Sequence, residues 1–351
     1  MRRRPWTILV TAVVLAAIGA GLGWYLGADH LDPVRGVVGS EKAPFFADRR
    51  VQEAFARHGL RVETDPRGSR EMATTVPLGR YDFAFPGSEQ AADRVRQARP
   101  ATGSYAPFRS PLAVATFTPV ADLLAAQGVA RRAPEGHWVL DLTKLLELAH
   151  QDKRWDQLPG NVAYPARRDI LLTTTHPGDS NSAAVYAWLA LMRLGGGAGA
   201  VEQVVKLFAD QGGLERSTED PFEKYLAQGL NYAPLVLAYE AQYVDAALSG
   251  TLPLGATLVY LSPTTSSTHT VVAFDGRGGE VGRLLTTDPE LVRLAAEHGF
   301  RTADESVFAP VLARVPAGGA ALPTHLTDLV DSPDPGVVES LLTTLNQRLR
   351  S

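Results

Sequence analysis

From Val34 onward the chain alternates short apolar runs with segments whose apolar residues recur three or four positions apart. Val37 and Val38 close a first β-type run. Within 45–58, Phe46, Val51, Ala54 and Phe55 mark one helix face, and Gly59 supplies the residue that commonly stops a helix. Runs at 60–64 and 81–85 read as the second and third strands, with a helix at 89–99 after them. This βαβαβ order predicts a parallel sheet covered by helices. A strand at 112–117 and a helix at 119–128 follow.

A second set begins with an amphipathic helix at 139–150, a strand at 170–175 and a strongly apolar helix at 180–194, closed by Gly195, Gly196 and Gly197. Helices at 201–211 and 221–229, a buried strand at 233–239 and a helix at 241–248 come next. Gly250 ends that helix. β-type runs at 256–261 and 270–274 and helices at 289–299 and 336–349 complete the pattern, with exposed loops at 316–319 and 331–335. No internal repeat stands out. The runs 112–117 and 256–261 each separate a finished βα set from a new one, so they are the expected crossings between two lobes. Lobe 1 would comprise 34–115 and 256–351, and lobe 2 would comprise 116–255.

Ahead of this pattern, Arg2, Arg3 and Arg4 precede an uncharged stretch from 5 to 28, and the first acid is Asp29. The apolar run at 6–26 is long enough to cross a bilayer, which takes roughly 20 residues. A cleavable signal has a shorter apolar region of about 7–15 residues, although Gly19, Gly21 and Gly23 would suit cleavage. The expectation is a cytoplasmic tip at 1–5 and a single-pass transmembrane helix at 6–28, with everything after it on the extracytoplasmic side. Gly19, Gly23 and Gly27 form a row of small residues able to pack a second helix, or simply a glycine-rich anchor.

Composition narrows the classes. The 351 residues are 45% hydrophobic and 21% charged, with a formal net charge of −4. A nucleic-acid binder would show a basic excess, which is absent. The chain has no cysteine, which excludes disulfides, thiolate metal sites, cysteine nucleophiles and a lipid-modified N-terminal cysteine.

Five segments carry a resemblance: VVGSEK at 37–42, YDFAFPGS at 81–88, TTTHPGDSNS at 173–182, APLVLAYE at 233–240, and LVYLSP at 258–263 with His269 nearby. In order and spacing, over roughly 34–301, the chain resembles the type II periplasmic solute-binding proteins, and within them an actinobacterial-like branch of substrate-binding domains. The resemblance implies an α/β fold of two lobes with parallel-type sheets and two interlobe crossings. It also implies capture of a small-molecule solute, and a partnership with the permease of an ABC-type transporter.

The residues make their own case for a ligand cleft. In open parallel sheets, ligands bind beyond the carboxyl ends of the strands. Those ends carry Ser40 after the first strand, Gly68 and Ser69 after the second, Gly87 and Ser88 after the third, and Asn181 and Ser182 at a helix start in the second lobe. Helix N-termini offer free N–H groups and partial positive charge, suited to anions and carbonyl oxygens. Any one of these serines is equally suited to be an N-cap, as are Asp179 and Ser180. Lys42, Arg67 and Arg70 beside the first two turns can pair with an anionic solute or remain solvated. Tyr239 and Glu240 end a buried strand. Glu240 can accept from a solute hydroxyl or amine, join an arginine at the hinge, or serve as a plain helix-start acid. Trp155 and Tyr164 can line a ring site, whereas Trp188 belongs to a helix core.

Catalytic motifs are lacking: the sequence holds no nucleophile elbow, phosphate loop or paired-histidine metal motif, and no cofactor is expected. His176, Asp179 and Ser180 supply hydrolase residue types, but a triad is defined by geometry and neighbours on one turn rarely converge. His269 reads as a loop histidine. An extracytoplasmic hydrolase and a ligand-free structural or sensor domain are the competing readings.

Overall fold

The computed structural model describes residues 31–315, 321–326, 328–331 and 334–349. The N-terminal apolar run and its arginines lie outside them. Among the described residues no helix is long and apolar enough to cross a membrane.

β1 (Asp32–Gly39) is buried without interruption from Gly36, as a strand covered on both faces must be. The helix expected at 45–58 is two helices, α1 (Ala43–Ala47) and α2 (Arg49–Arg57). Asp48 breaks it with an extended backbone, and its side chain accepts from Arg50 N to cap α2. Gly59, at φ +76°, ends α2 and leads into β2 (Leu60–Arg67). β3 (Phe83–Phe85) and α3 (Glu89–Ala98) follow, then β4 (Gly103–Phe117), a strand of 15 residues. α4 (Thr118–Ala126) and β5 (Ala130–Arg132) come next. The helix expected from 139 starts later: β6 (Trp138–Asp141) precedes α5 (Leu142–His150), with Asp141 as N-cap. The strand expected at 170–175 is reduced to isolated bridges from Thr173 to Val236 and from Thr175 to Glu215. α6 (Asn181–Arg193), α7 (Gly197–Ala209), α8 (Glu219–Gln228), β7 (Val236–Tyr239), α9 (Glu240–Ser249), β8 (Ala256–Ser262) and β9 (Ser266–Ala273) complete the middle. The chain then forms α10 (Gly276–Thr287), α11 (Pro289–Glu297), α12 (Phe308–Leu312) and α13 (Pro335–Leu349).

The sheet order is β2-β1-β3-β9-β4-β8-β6-β5, with β7 also on β4. β1 pairs in parallel with β2 and β3, and β6 with β8, as the βαβ pattern implies. The other pairings are antiparallel, so the sheet is mixed rather than parallel. β4 decides the architecture. Residues 103–111 pair with β9, and from Leu112 the strand pairs with β7 and β8 instead.

Two of the apolar clusters that result define the halves. One packs Phe45, Phe55, Phe83, Phe85 and Phe108 with the inner faces of α10 and α11. The other gathers α4 to α8 around β4, β7 and β8. We call these the first and second halves. The runs at 112–117 and 256–261 are not passages between them. They pair with each other inside the second half, Ala113 opposite Tyr260, because such uniformly apolar stretches are buried by sheet pairing. The chain changes halves just before the first run and just after the second. α13 also differs from expectation: Val338, Leu341, Leu342 and Leu345 enter the second core rather than the first.

Candidate functional site

β1 ends on Gly39, and the following 3-10 turn Ser40–Lys42 folds the Glu41 side chain back over that end. A Cβ on Gly39 would stand 2.4 Å from Glu41 Oε1 and 2.7 Å from Lys42 Nζ, so a side chain there would push both end groups out of this arrangement. Lys42 Nζ donates to Glu41 Oε1 and lies 3.0 Å from Nδ1 of His269, which β9 brings across; Nδ1 is 3.3 Å from Glu41 Oε1. Lys42 and His269 are wholly buried, and the ammonium sits 4.8 Å from the Phe85 ring centre. Burial opposes ionisation of Glu41, yet Lys42 and His269 hold its carboxyl well below the usual range. Burial pushes Lys42 down against the pull of Glu41. Burial and the Lys42 charge together lower His269 to about 4, so the imidazole is neutral near pH 7. Its Nε2 has no hydrogen-bond partner among the described residues.

The neighbouring strand ends converge on the same place. Ser69 Oγ accepts from Gly87 N at 2.8 Å. Ser88 caps α3 by accepting from Ala91 N, and its hydroxyl donates to Asn181 Oδ1 at 2.6 Å. Asn181 Nδ2 donates to Tyr239 OH at 2.9 Å, and the Tyr239 ring meets His269 edge-on at 5.4 Å. A Cβ on Gly87 would reach Glu41 Oε1 at 2.9 Å, Ser69 Oγ at 3.2 Å and Tyr239 OH at 3.6 Å, which measures how tightly these groups close around it. Ser69 and Ser88 come from the first half, and Asn181 and Tyr239 from the second. One buried polar network therefore spans the junction.

The other candidate residues take different places. Ser40 is buried in the same turn, where its carbonyl accepts from Ala43 N. Ser182 Oγ pairs with Ser180 and Thr218 at the start of α6. Glu240 leaves the network: its carboxylate receives Arg301 Nε at 2.7 Å, Nη2 at 2.9 Å and Tyr260 OH at 2.5 Å. Of the cations suggested for an anionic solute, Lys42 is paired with Glu41, and buried Arg70 with Glu339 at 2.7 Å. Arg67 is exposed and donates to Pro66 O. Trp155 and Tyr164 pack edge-on in the second core. Ser180 Oγ lies 3.0 Å from Ser182 Oγ and 3.1 Å from Thr218 Oγ1. Sequence reasoning missed Glu41 altogether and dismissed His269. The signal for Glu41 lay in its position beside Lys42 on a glycine-serine turn.

Beside Glu41 a cavity of about 240 Å³ opens between the halves. Phe45, Phe300 and His298 line one wall, and Phe222, Glu219 and Asp245 the other. Burial, together with the Glu223, Glu41 and Asp245 carboxylates, pushes Glu219 up to about 8, against the hydrogen bond from Gln242. At the other end, Arg70 N donates to Asp179 O, and Arg216 bridges Glu71 and Asp179.

This fold, with polar strand ends meeting at a junction between two cores, is that of the type II periplasmic solute-binding proteins. The sulfate-binding protein SubI from Mycobacterium tuberculosis H37Rv is 15% identical and superposes with a TM-score of 0.51, covering 81% of this chain and 92% of its own. A periplasmic thiamin binding protein is 10% identical at 0.52, covering 90% and 96%. The periplasmic binding protein AfuA from Actinobacillus pleuropneumoniae, with fructose-6-phosphate bound, is 11% identical at 0.53, covering 91% and 98%. Neither a protein-family model nor a curated protein sequence matches the chain.

Proposed function

We propose that the protein is an extracytoplasmic solute-binding protein that captures a small solute between two lobes for a membrane transporter of the ABC type. In this reading its N-terminal apolar segment tethers it to the membrane as a single-pass anchor, and it performs no chemistry. One lobe is built on the first core and the other on the second, with β4 and the link between β8 and β9 as the hinge. The observation that carries the reading is the network from Ser69 and Ser88 to Asn181 and Tyr239, which joins strand ends of both halves where open sheets bind ligands. Ser40, Lys42 and Ser182 border that network, while Glu240 acts at the hinge through Arg301. Proteins of this fold take solutes as unlike as sulfate, thiamin and fructose-6-phosphate, so the fold leaves the solute open.

The test uses the full chain in detergent, screened by thermal denaturation against sugars, amino acids, amines and oxyanions, alongside mass spectrometry of what co-purifies. One chemical class should raise Tm saturably. A flat response across all four would sink the reading in favour of a ligand-free envelope domain. Carbonate extraction of membranes should leave the chain in the pellet; a shortened soluble form would mean a cleaved signal instead.

A further inference from the structure

We propose that Glu41 is a ligand built into the chain, which fixes the charge class of the solute. Its carboxylate fills the anion position at the strand ends, so the cleft refuses small oxyanions and carboxylates and admits them only when this side chain is shortened. The inference rests on reading the junction as the solute site.

Three observations lead to it. First, the cation that an incoming anion would need is already matched. Lys42 Nζ is bonded to Glu41 Oε1 and lies 3.0 Å from His269 Nδ1, and neither Lys42 nor His269 is exposed to solvent. A second anion there would be an unpaired buried charge, which protein interiors do not tolerate. Second, the backbone is cut to fit this carboxylate. Gly39 and Gly87, on two different strand ends, leave room for Glu41 Oε1, and a methyl group on either would stand within 3.0 Å of it. A residue that merely neutralised a surface lysine would not need two strand ends relieved of their side chains. Third, among the described residues no lysine or arginine lines the cavity next to Glu41. Of its acidic wall residues Glu219 keeps its proton near pH 7, which leaves Glu223 and Asp245 as carboxylates, and the wall histidine His298 is engaged by Asp48 and Asp245. An anion would meet repulsion on approach as well as at the strand ends.

The experiment compares wild type with Glu41→Ala, as full chains, in sodium acetate, sulfate or phosphate against sodium chloride at matched ionic strength. Wild type should show no saturable rise in Tm with any of the three anions, only the non-saturating gain that sulfate and phosphate give folded proteins in general. Glu41→Ala leaves Lys42 buried without its partner and should lower Tm by about 5 °C or more. Acetate should then restore at least half of that loss, saturably, because it replaces the missing carboxylate. Acetate acting no differently from chloride on Glu41→Ala would overturn the proposal, as would saturable stabilisation of wild type by any of the three anions. Where Glu41→Ala fails to fold, the isosteric Glu41→Gln takes its place. Adding Lys42→Met should return most of the stability that Glu41→Gln loses, and no recovery would overturn the pairing on which the proposal stands. Failure of the solute-binding reading looks different: acetate would still rescue Glu41→Ala, while no solute of any class stabilised wild type.

Discussion

A glutamic acid that keeps its proton at neutral pH is a cost that titration can expose. Glu219 has a folded pKa of about 8 and an ordinary value of 4.5. Between those limits the folded chain holds a proton that the unfolded chain has released, so stability falls as pH rises from about 4.5 to about 8. Glu219→Gln keeps the shape and removes the titration. Its Tm should match wild type near pH 4.5 and exceed it increasingly up to pH 8. Parallel Tm curves over that range would show that Glu219 ionises normally. At this scale the sequence was informative about small polar residues and poor about charged ones. Ser69, Ser88, Asn181 and Tyr239 stand at strand and helix ends, where position and residue type limit what a side chain can do, and the fold brings them into one network. Glu41 and His269 were not, because the burial of a charge depends on what packs over it, and β9 lies more than 200 positions from the Glu41 turn. Glu240 could be read three ways, and only the fold brought Arg301 to it.

Many elements with one clean periodicity stand where the sequence put them, but the helix at 45–58 is broken at Asp48 and elements whose residues serve a neighbour were not read. α10 was missed because Gly276, Gly278, Gly279 and Gly282 argue against a helix. Two of those glycines permit close packing: a Cβ on Gly278 would stand 2.1 Å from Asp82 O, and one on Gly282 2.3 Å from the Tyr105 ring. The first part of β4 was hidden by Pro107 and Pro111, which a bulge between Tyr105 and Phe108 and the change of partners accommodate. α13 was found as a helix but assigned to the wrong neighbours. Its apolar side enters the second core, while Glu339 on its other side reaches Arg70 and Arg94 of the first half. It therefore straddles the junction. Glu339→Gln should destabilise the chain by about 1–3 kcal/mol, the usual loss when a buried donor is left poorly satisfied, read from urea unfolding. An unchanged midpoint would reduce the contact to surface decoration.

For the whole molecule, β4 is the shared spine: each half hydrogen-bonds to its own stretch of one strand, and relative motion must turn about the residues where its partners change. The absence of native cysteine makes that motion easy to follow. Spin labels at Glu53→Cys on α2 and Ala209→Cys on α7 report across the junction. Wild type should give one narrow distance distribution, and adding Glu339→Gln should broaden it toward longer distances. An identical distribution in both would show that α13 does not restrain the halves. The succession of βα sets announced a change of set along the chain, but the strand common to both was not legible, since nothing local announces that a strand will change partners partway along.

The placement of α13 also bears on how the chain comes to be folded. A ribosome delivers residues in order, and the second core is not complete until Leu345 arrives to join Val338, Leu341 and Leu342 against α6 and α7. The first core needs nothing beyond Phe300. The two halves must therefore mature at different times. The earlier one can consolidate while synthesis continues; the later one waits with an open apolar seam, which a holding chaperone would recognise until the last helix closes it.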